Sequence, residues 1–189
     1  AVNYISGCVT SYFTPVAASM DTLYFDLSDS MTVDSVRYHG ASVSYTHLSG
    51  ELLRITFPAT IPQGALDSVS VWYHGAPVGT GFGSFIQDQH DSIPIIWTLS
   101  EPYGGKDWMP CKNGITDKID SLDMFVTAPA GNKVAGNGVL VKVIPGIGEN
   151  TYHWRHRYPV ATYLIAFAVT NYVAYSDWVP YGGDTLEIL

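Results

Sequence analysis

Apolar and polar residues alternate along most of this chain in short runs. "CVTSYFTPV" (8–16), "TLYFDLS" (22–28), "TVDSVRYHG" (32–40), "ASVSYTHL" (41–48), "LLRITFP" (52–58) and "DSVSVWYHG" (67–75) set the habit. Each is rich in β-branched and aromatic residues, which suit a pleated, half-buried surface. Gly, Pro, Asp and Ser punctuate them, as expected between strands. No window sustains apolar residues at i, i+3, i+4 and i+7, so the pattern predicts strands and little helix.

The second half continues in the same way. "DSLDMFVTAP" (120–129) predicts a strand. "KVAGNGVLVKVI" (133–144) predicts a hairpin turning at Gly136, Asn137 and Gly138, because Asn-Gly accepts positive φ at both turn positions. "NTYHWRHRYPV" leads into "ATYLIAFAVTNYVAYSDW" (161–178). That run is too uniformly apolar for a solvent-facing strand. It predicts a central strand buried on both faces, then a bend and another strand. With no linker-like tract, residues 1–189 read as one all-β domain. One echo stands out: Val33–Gly40 and Leu66–Gly75 both run from Asp-Ser-Val to Tyr-His-Gly. Two units are too few for a repeat architecture and predict two similar strands, with His39 and His74 at their ends.

Composition narrows the function classes. Of 189 residues, 47% are hydrophobic and 14% charged, which describes a globular chain with a sizeable core. Nine basic against 17 acidic residues leave a net charge of −8. No basic surface is available to neutralise phosphates, so nucleic acid is not an expected partner. The most apolar stretch, 162–175, is too short to span a bilayer and is broken by Thr170 and Asn171. The first residues read as an interior strand and not as a signal peptide. Two cysteines, Cys8 and Cys111, carry no framework pattern; a pairing between them is open, and free thiols are the simpler reading.

Self-contained catalytic motifs are missing. There is no His-Glu-x-x-His and no Gly-x-Ser-x-Gly. "GTGFGSF" (79–85) lacks the lysine of a phosphate loop and reads as a mobile turn. In "HWRHR" (153–157), His153 and His156 would share a helix face but oppose each other on a strand. The segment therefore reads as a basic strand edge that discourages pairing. Asp117, Asp120 and Asp123 alternate in direction and form no acid/base pair along the chain. No metal-ligand set is found.

The stretch "SEPYGGKDWMPC" (100–111) carries the most chemistry: Glu101, Lys106 and Asp107 among Gly104, Gly105, Trp108 and Pro110. Together with its surroundings, "WTLSEPYGGKDWMPCKNGITDKIDSLDMFVTAP" (97–129), it resembles the aminopeptidase N family of zinc metallopeptidases. "YISGCVTSYF" (4–13) and "YPVATYLIAFAVTNY" (158–172) resemble two further strands of that family's N-terminal domain, in order. The resemblance implies a saddle-like β domain: a large antiparallel or mixed sheet packed with smaller ones. The family's zinc helix, downstream zinc glutamate and Gly-x-Met-Glu-Asn loop are absent from this sequence, and the resemblance implies that the family's first strand is missing as well. The resemblance therefore implies a non-catalytic N-terminal domain, as a fragment of a longer parent. Zinc would then belong to the parent's catalytic domain, which is the implied partner.

The resemblance also gives Glu101 a role. The family places Glu or Gln there to bind the free α-amino group of a peptide substrate. A carboxylate suits an ammonium through a charge-assisted hydrogen bond. The plainer reading is that Glu101 caps a turn or pairs with Lys106. Gly104 and Gly105 would bring the backbone close to the neighbouring domain. Trp108 and Tyr103 read as packing residues, with Tyr103 also a candidate for the specificity pocket. An exported parent, periplasmic or extracellular, is favoured on the resemblance alone. The competing function is a free-standing carbohydrate- or protein-binding β-sandwich of a secreted protein, suggested by the aromatic content; a structural or adhesive module is a third.

Overall fold

The computed structural model describes residues 4–189. They form eighteen strands and two one-turn 3₁₀ helices. The first seven strands are β1 (Ile5–Phe13), β2 (Ser19–Asp26), β3 (Met31–Tyr38), β4 (Ala41–Ser42), β5 (Ser44–Leu48), β6 (Leu52–Pro62) and β7 (Asp67–Gly75). β8 (Ser84–His90) and β9 (Ile93–Leu99) then lead to a 3₁₀ turn at Gly105–Asp107. Next come β10 (Lys118–Ile119), β11 (Leu122–Pro129), β12 (Lys133–Gly136), β13 (Val139–Pro145) and β14 (Glu149–His156). β15 (Val160–Ala161), a 3₁₀ turn at Thr162–Leu164, β16 (Phe167–Thr170), β17 (Asp177–Tyr181) and β18 (Asp184–Ile188) complete the order. The chain is all-β, as its alternation predicts, and is built from several antiparallel sheets.

The first half is a sandwich. Sheet β1-β7-β3-β4 faces sheet β2-β6-β5. On β6, Leu53, Ile55 and Phe57 point inward while Arg54 and Thr56 are exposed. On β7, Val69 and Val71 do the same from the other side. This is the two-residue period of a strand with one wet face. Each of these large apolar side chains stabilises the fold by about 1.5–3 kcal/mol through burial. The echo has a structural counterpart. β3 and β7 are antiparallel neighbours, and each echo's aspartate meets the other's histidine: His74 Nδ1 lies 2.7 Å from Asp34, and His39 Nε2 lies 2.8 Å from Asp67.

A second core joins the sandwich to the rest. Leu27, Met31 and Tyr73 come from the first half; Phe85, Trp108, Met109, Cys111 and Ile165 come from the second. A third core, with Val134, Tyr152 and Trp154, fills the space between sheet β11-β14-β13 and sheet β12-β16-β9-β8.

Three expectations need correction. Asn137-Gly138 does turn the chain, with Gly138 at φ 84°, but β12 and β13 do not pair with each other. β12 pairs with β16 and β13 with β14, so the turn carries the chain from one sheet to another. Asn137 fixes that switch by accepting from the Ala166 N–H at 2.7 Å and donating to Leu164 O at 2.9 Å. The apolar run 161–178 yields a central strand only over Phe167–Thr170, and that strand is half-buried. The 3₁₀ turn at Thr162–Leu164 precedes it, and Thr162 Oγ1 ties that bend to the end of the Ser100–Asn113 loop by donating to Lys112 O at 2.9 Å. Finally, "HWRHR" is no edge. β14 lies between β11 and β13, and Tyr152, His153 and Trp154 are buried. Its basic residues gather on one carboxylate: Asp123 on β11 bonds His153 and Arg155 and, just past the strand's end, Arg157.

Candidate functional site

The Ser100–Asn113 loop leaves β9 at the junction of the two halves and is fastened along its length. Ser100 is buried; its Oγ accepts from Trp108 Nε1 at 2.9 Å, and its carbonyl accepts from the Gly104 N–H at 2.8 Å. That second bond closes a tight turn over Glu101, Pro102 and Tyr103, in which the Glu101–Pro102 peptide is cis. The 3₁₀ turn follows, with Asp107 N–H donating to Gly104 O at 3.1 Å. Trp108 and Met109 drop into the second core. Cys111 and Asp26 exchange two backbone hydrogen bonds of 2.8 and 3.1 Å, and Asn113 Nδ2 donates to Tyr103 O at 2.6 Å.

Asp107 is the keystone of this arrangement. It is fully buried, yet it accepts hydrogen bonds from Thr80 Oγ1, from Ser84 Oγ at 2.5 Å and from Lys106 Nζ at 3.0 Å. A buried carboxylate is tolerable only when paired and hydrogen-bonded in this way. Lys106 reaches Glu51 as well, at 2.7 Å. Burial acts to depress the lysine, but its bonds to Glu51 and Asp107 outweigh that and hold the ammonium above its usual value. Gly104 is a glycine for a steric reason within the domain: a Cβ there would sit 2.1 Å from Ser84 Oγ.

Glu101 stands apart. It is exposed and makes no hydrogen bond or ion pair among the described residues. Lys106, its expected alternative partner, is taken by Glu51 and Asp107. Lys112 pairs with Asp117. Of the four charged side chains between Ser100 and Lys112, only Glu101 is left without a partner among the described residues. Tyr103, expected to pack, is 53% exposed on the same turn, whereas Trp108 is buried as expected.

No protein-family model matches the sequence, and no curated protein is similar to it in sequence. Solved structures are similar in fold. An M1 zinc metallopeptidase from Deinococcus radiodurans superposes with a TM-score of 0.84 at 22% identity, over 98% of this chain and 42% of its own. A variant of that enzyme gives 0.85 at 22% identity, with the same coverage. A two-domain M1 zinc metallopeptidase bound to L-tryptophan gives 0.84 at 21% identity, over 98% and 43%. The fold is that of the N-terminal domain of M1 zinc metallopeptidases. The chain spans less than half the length of these structures.

The other candidates within this M1-type fold do not assemble into a catalytic group. Asp117 is held by Lys112, and Asp120 is exposed. Asp123 gathers His153 at 2.6 Å, Arg155 at 3.0 Å and Arg157. Burial acts to raise the Asp123 carboxyl, but the hydrogen bonds from His153, Arg157 and Arg155 outweigh it and hold it well below the usual carboxylate range. It is a fixed anion, unsuited to general-base work near neutral pH. A zinc ion would need three or four ligands, and the described residues bring no three His, Cys, Asp or Glu into such a set. Cys8 and Cys111 are free thiols, the first exposed and the second buried; burial pushes the Cys111 thiol up, away from the reactive thiolate.

The sequence did not single out Asp107, Thr80 and Ser84 as a unit. The available signal was the coincidence of two hydroxyl residues in "GTGFGSF" with an aspartate flanked by buried apolar residues in "KDWMP". The expected mobile turn at 79–85 is in fact tied to Asp107 through both hydroxyls.

Proposed function

We propose that this chain is the non-catalytic N-terminal domain, over residues 1–189, of a zinc-dependent aminopeptidase that removes N-terminal residues from peptides. Glu101 holds the substrate's free amino terminus at the cleft formed with the parent's catalytic domain, and zinc sits in that second domain. The observation that carries the reading is the Glu101 carboxylate: exposed and without a partner among the described residues, on a turn whose other charges are all engaged. A carboxylate left free on a rigid support is pre-organised for an incoming ammonium, with little ordering cost on binding. The M1-type fold supports the same reading, and one neighbour of that fold is described as bound to a Tyr-Ser-Ala substrate.

The test is a comparison of the full-length parent with this chain on a fluorogenic aminoacyl substrate, with metal analysis of both. The parent turns over, loses activity to a chelator and regains it with zinc. The 189-residue chain holds no stoichiometric zinc and shows no turnover. A zinc-loaded, active isolated chain, or a parent without aminopeptidase activity, contradicts the reading.

A further inference from the structure

The Glu101 turn is closed by its own backbone, and one side chain holds it from outside. The Gly104 N–H donates to Ser100 O at 2.8 Å, which leaves residues 101–103 as the exposed arc of the turn. Asn113 Nδ2 donates to Tyr103 O at 2.6 Å. Among the described residues, this is the single hydrogen bond that reaches 101–103 from elsewhere in the chain. The same amide also faces the other way: its Oδ1 accepts from the Lys106 N–H at 3.4 Å. A carbonyl has to meet a donor and an N–H an acceptor, so the two contacts fix the orientation of the amide. Asn113 thus bridges the Glu101 turn and the 3₁₀ turn at Gly105–Asp107.

Asn113 is itself fastened to the sandwich. Its backbone N–H donates to Asp26 Oδ2 at 3.0 Å. Asp26 is the last residue of β2 and exchanges two backbone hydrogen bonds with Cys111. The space around the amide is closed as well: a Cβ on Gly105 would lie 3.3 Å from Asn113 Oδ1 and 3.2 Å from Cys111 Sγ. An unbroken line of contacts therefore runs from β2 through Asp26 and Asn113 to Tyr103 O, two residues from Glu101. The Glu101 carboxylate has no partner of its own among the described residues, so the backbone of the turn decides where it stands. A charged group held in place before its ligand arrives binds with less ordering cost.

We infer that Asn113 is a positioning residue: acting through Tyr103 O, it holds the Glu101 turn in the conformation that presents the carboxylate to an ammonium. The inference rests on the aminopeptidase reading and adds to it the residue that sets the anchor. The experiment uses the full-length parent with Asn113→Asp, Asn113→Ala, Glu101→Ala and the Glu101→Ala, Asn113→Asp pair. Inhibition constants are measured for leucinamide and for isocaproamide, the same amide without the α-amino group; their ratio reads the worth of the ammonium. Asn113→Asp keeps the volume and the acceptor for Lys106 but sets a carboxylate oxygen against Tyr103 O. The added negative charge would by itself favour an ammonium, so a fall in the preference for leucinamide reports displacement of the turn. The preference falls by about ten-fold, equivalent to about 1.4 kcal/mol, and Asn113→Ala, which adds no charge, lowers it as well. A residue that only stabilised the fold would weaken both inhibitors alike. Glu101→Ala also lowers the preference, and adding Asn113→Asp to it lowers the preference no further, because two residues acting through one group are not additive. On the 189-residue chain, Asn113→Asp speeds amide exchange at Gly104, whose N–H closes the turn, and leaves Val69 and Val71 unmoved. An unchanged preference or unchanged Gly104 exchange in Asn113→Asp overturns the inference, and so does a full further loss in the double variant. If Glu101→Ala lowers the preference while Asn113→Asp does not, the anchor stands and the positioning role is wrong. A preference unmoved by Glu101→Ala overturns the anchor itself, and the positioning role with it.

Discussion

Replacing Asp107 tests whether the loops are held as described. Asp107 is fully buried and satisfies two hydroxyls and one ammonium. Asp107→Ala leaves a cavity and removes the carboxylate acceptor of Thr80 and Ser84, which keep only each other and Thr80 O; Lys106 keeps Glu51 as its remaining partner. Breaking a buried, hydrogen-bonded ion pair from one side costs about 3–5 kcal/mol. For a domain of this size, each kcal/mol shifts the melting midpoint by about 2–4 °C, so a fall of about 6–20 °C is expected. Asp107→Asn keeps the shape and one acceptor oxygen, and should cost less, about 1–3 kcal/mol. Calorimetry gives the midpoints. Amide exchange gives the location: protection should drop most at residues 80–84 and 104–109, beyond the change across the Leu53–Val71 core. A midpoint for Asp107→Ala within about 2 °C of the unaltered chain, under 1 kcal/mol by the same conversion, would refute the keystone role.

Two further outcomes follow from other parts of the fold. The Asp123 carboxyl is held below its unfolded value, so its contribution is present above about pH 4 and is lost as pH falls through the folded value. Urea unfolding at several pH values should therefore show a stability gap between the unaltered chain and Asp123→Asn that is constant near neutrality and closes in acid; a gap that widens in acid contradicts the assignment. At the sheet switch, a Cβ on Gly138 would lie 2.0 Å from Arg155 O, and its φ of 84° is itself unfavourable for other residues. Gly138→Ala should destabilise more than Gly131→Ala, where φ is 94° but nothing lies within 4 Å of the added carbon, and comparable midpoints would count against a tight crossing.

The alternation of Leu53, Ile55 and Phe57 with Arg54 and Thr56 was enough to announce a wet-faced strand, and similar runs announced most of the others. Strand partners were less legible. Asn137-Gly138 has the chemistry of a hairpin turn, but pairing is decided by which sheet edge the next strand meets, and that is a long-range matter. "HWRHR" reads as an edge because its basic residues are local, while the Asp123 that bonds them is some thirty positions away. The same limit applied to the candidate site. "SEPYGGKDWMPC" could be recognised as a loop with spare chemistry, but the turn of ownership, Lys106 to Glu51 and Asp107, and Asp107 to Thr80 and Ser84, depends on contacts from distant segments. Those contacts leave Glu101 as the loop's charged side chain without a partner among the described residues.

The most direct measurement is therefore on Glu101 itself, in the full-length parent. Efficiencies of the unaltered enzyme, Glu101→Ala and Glu101→Gln are compared on peptides with free and with acetylated amino termini. Losing one partner of a desolvated ammonium costs about 2–5 kcal/mol, roughly thirty-fold to several thousand-fold. Glu101→Ala should lose that factor on free peptides and little on acetylated ones, and Glu101→Gln should keep part of it through its amide oxygen. Stability should hardly change, because the side chain is exposed and unpaired among the described residues. Equal efficiencies for all three enzymes on free peptides would mean that Glu101 is only a turn residue, and the account of this loop as a substrate anchor would be wrong.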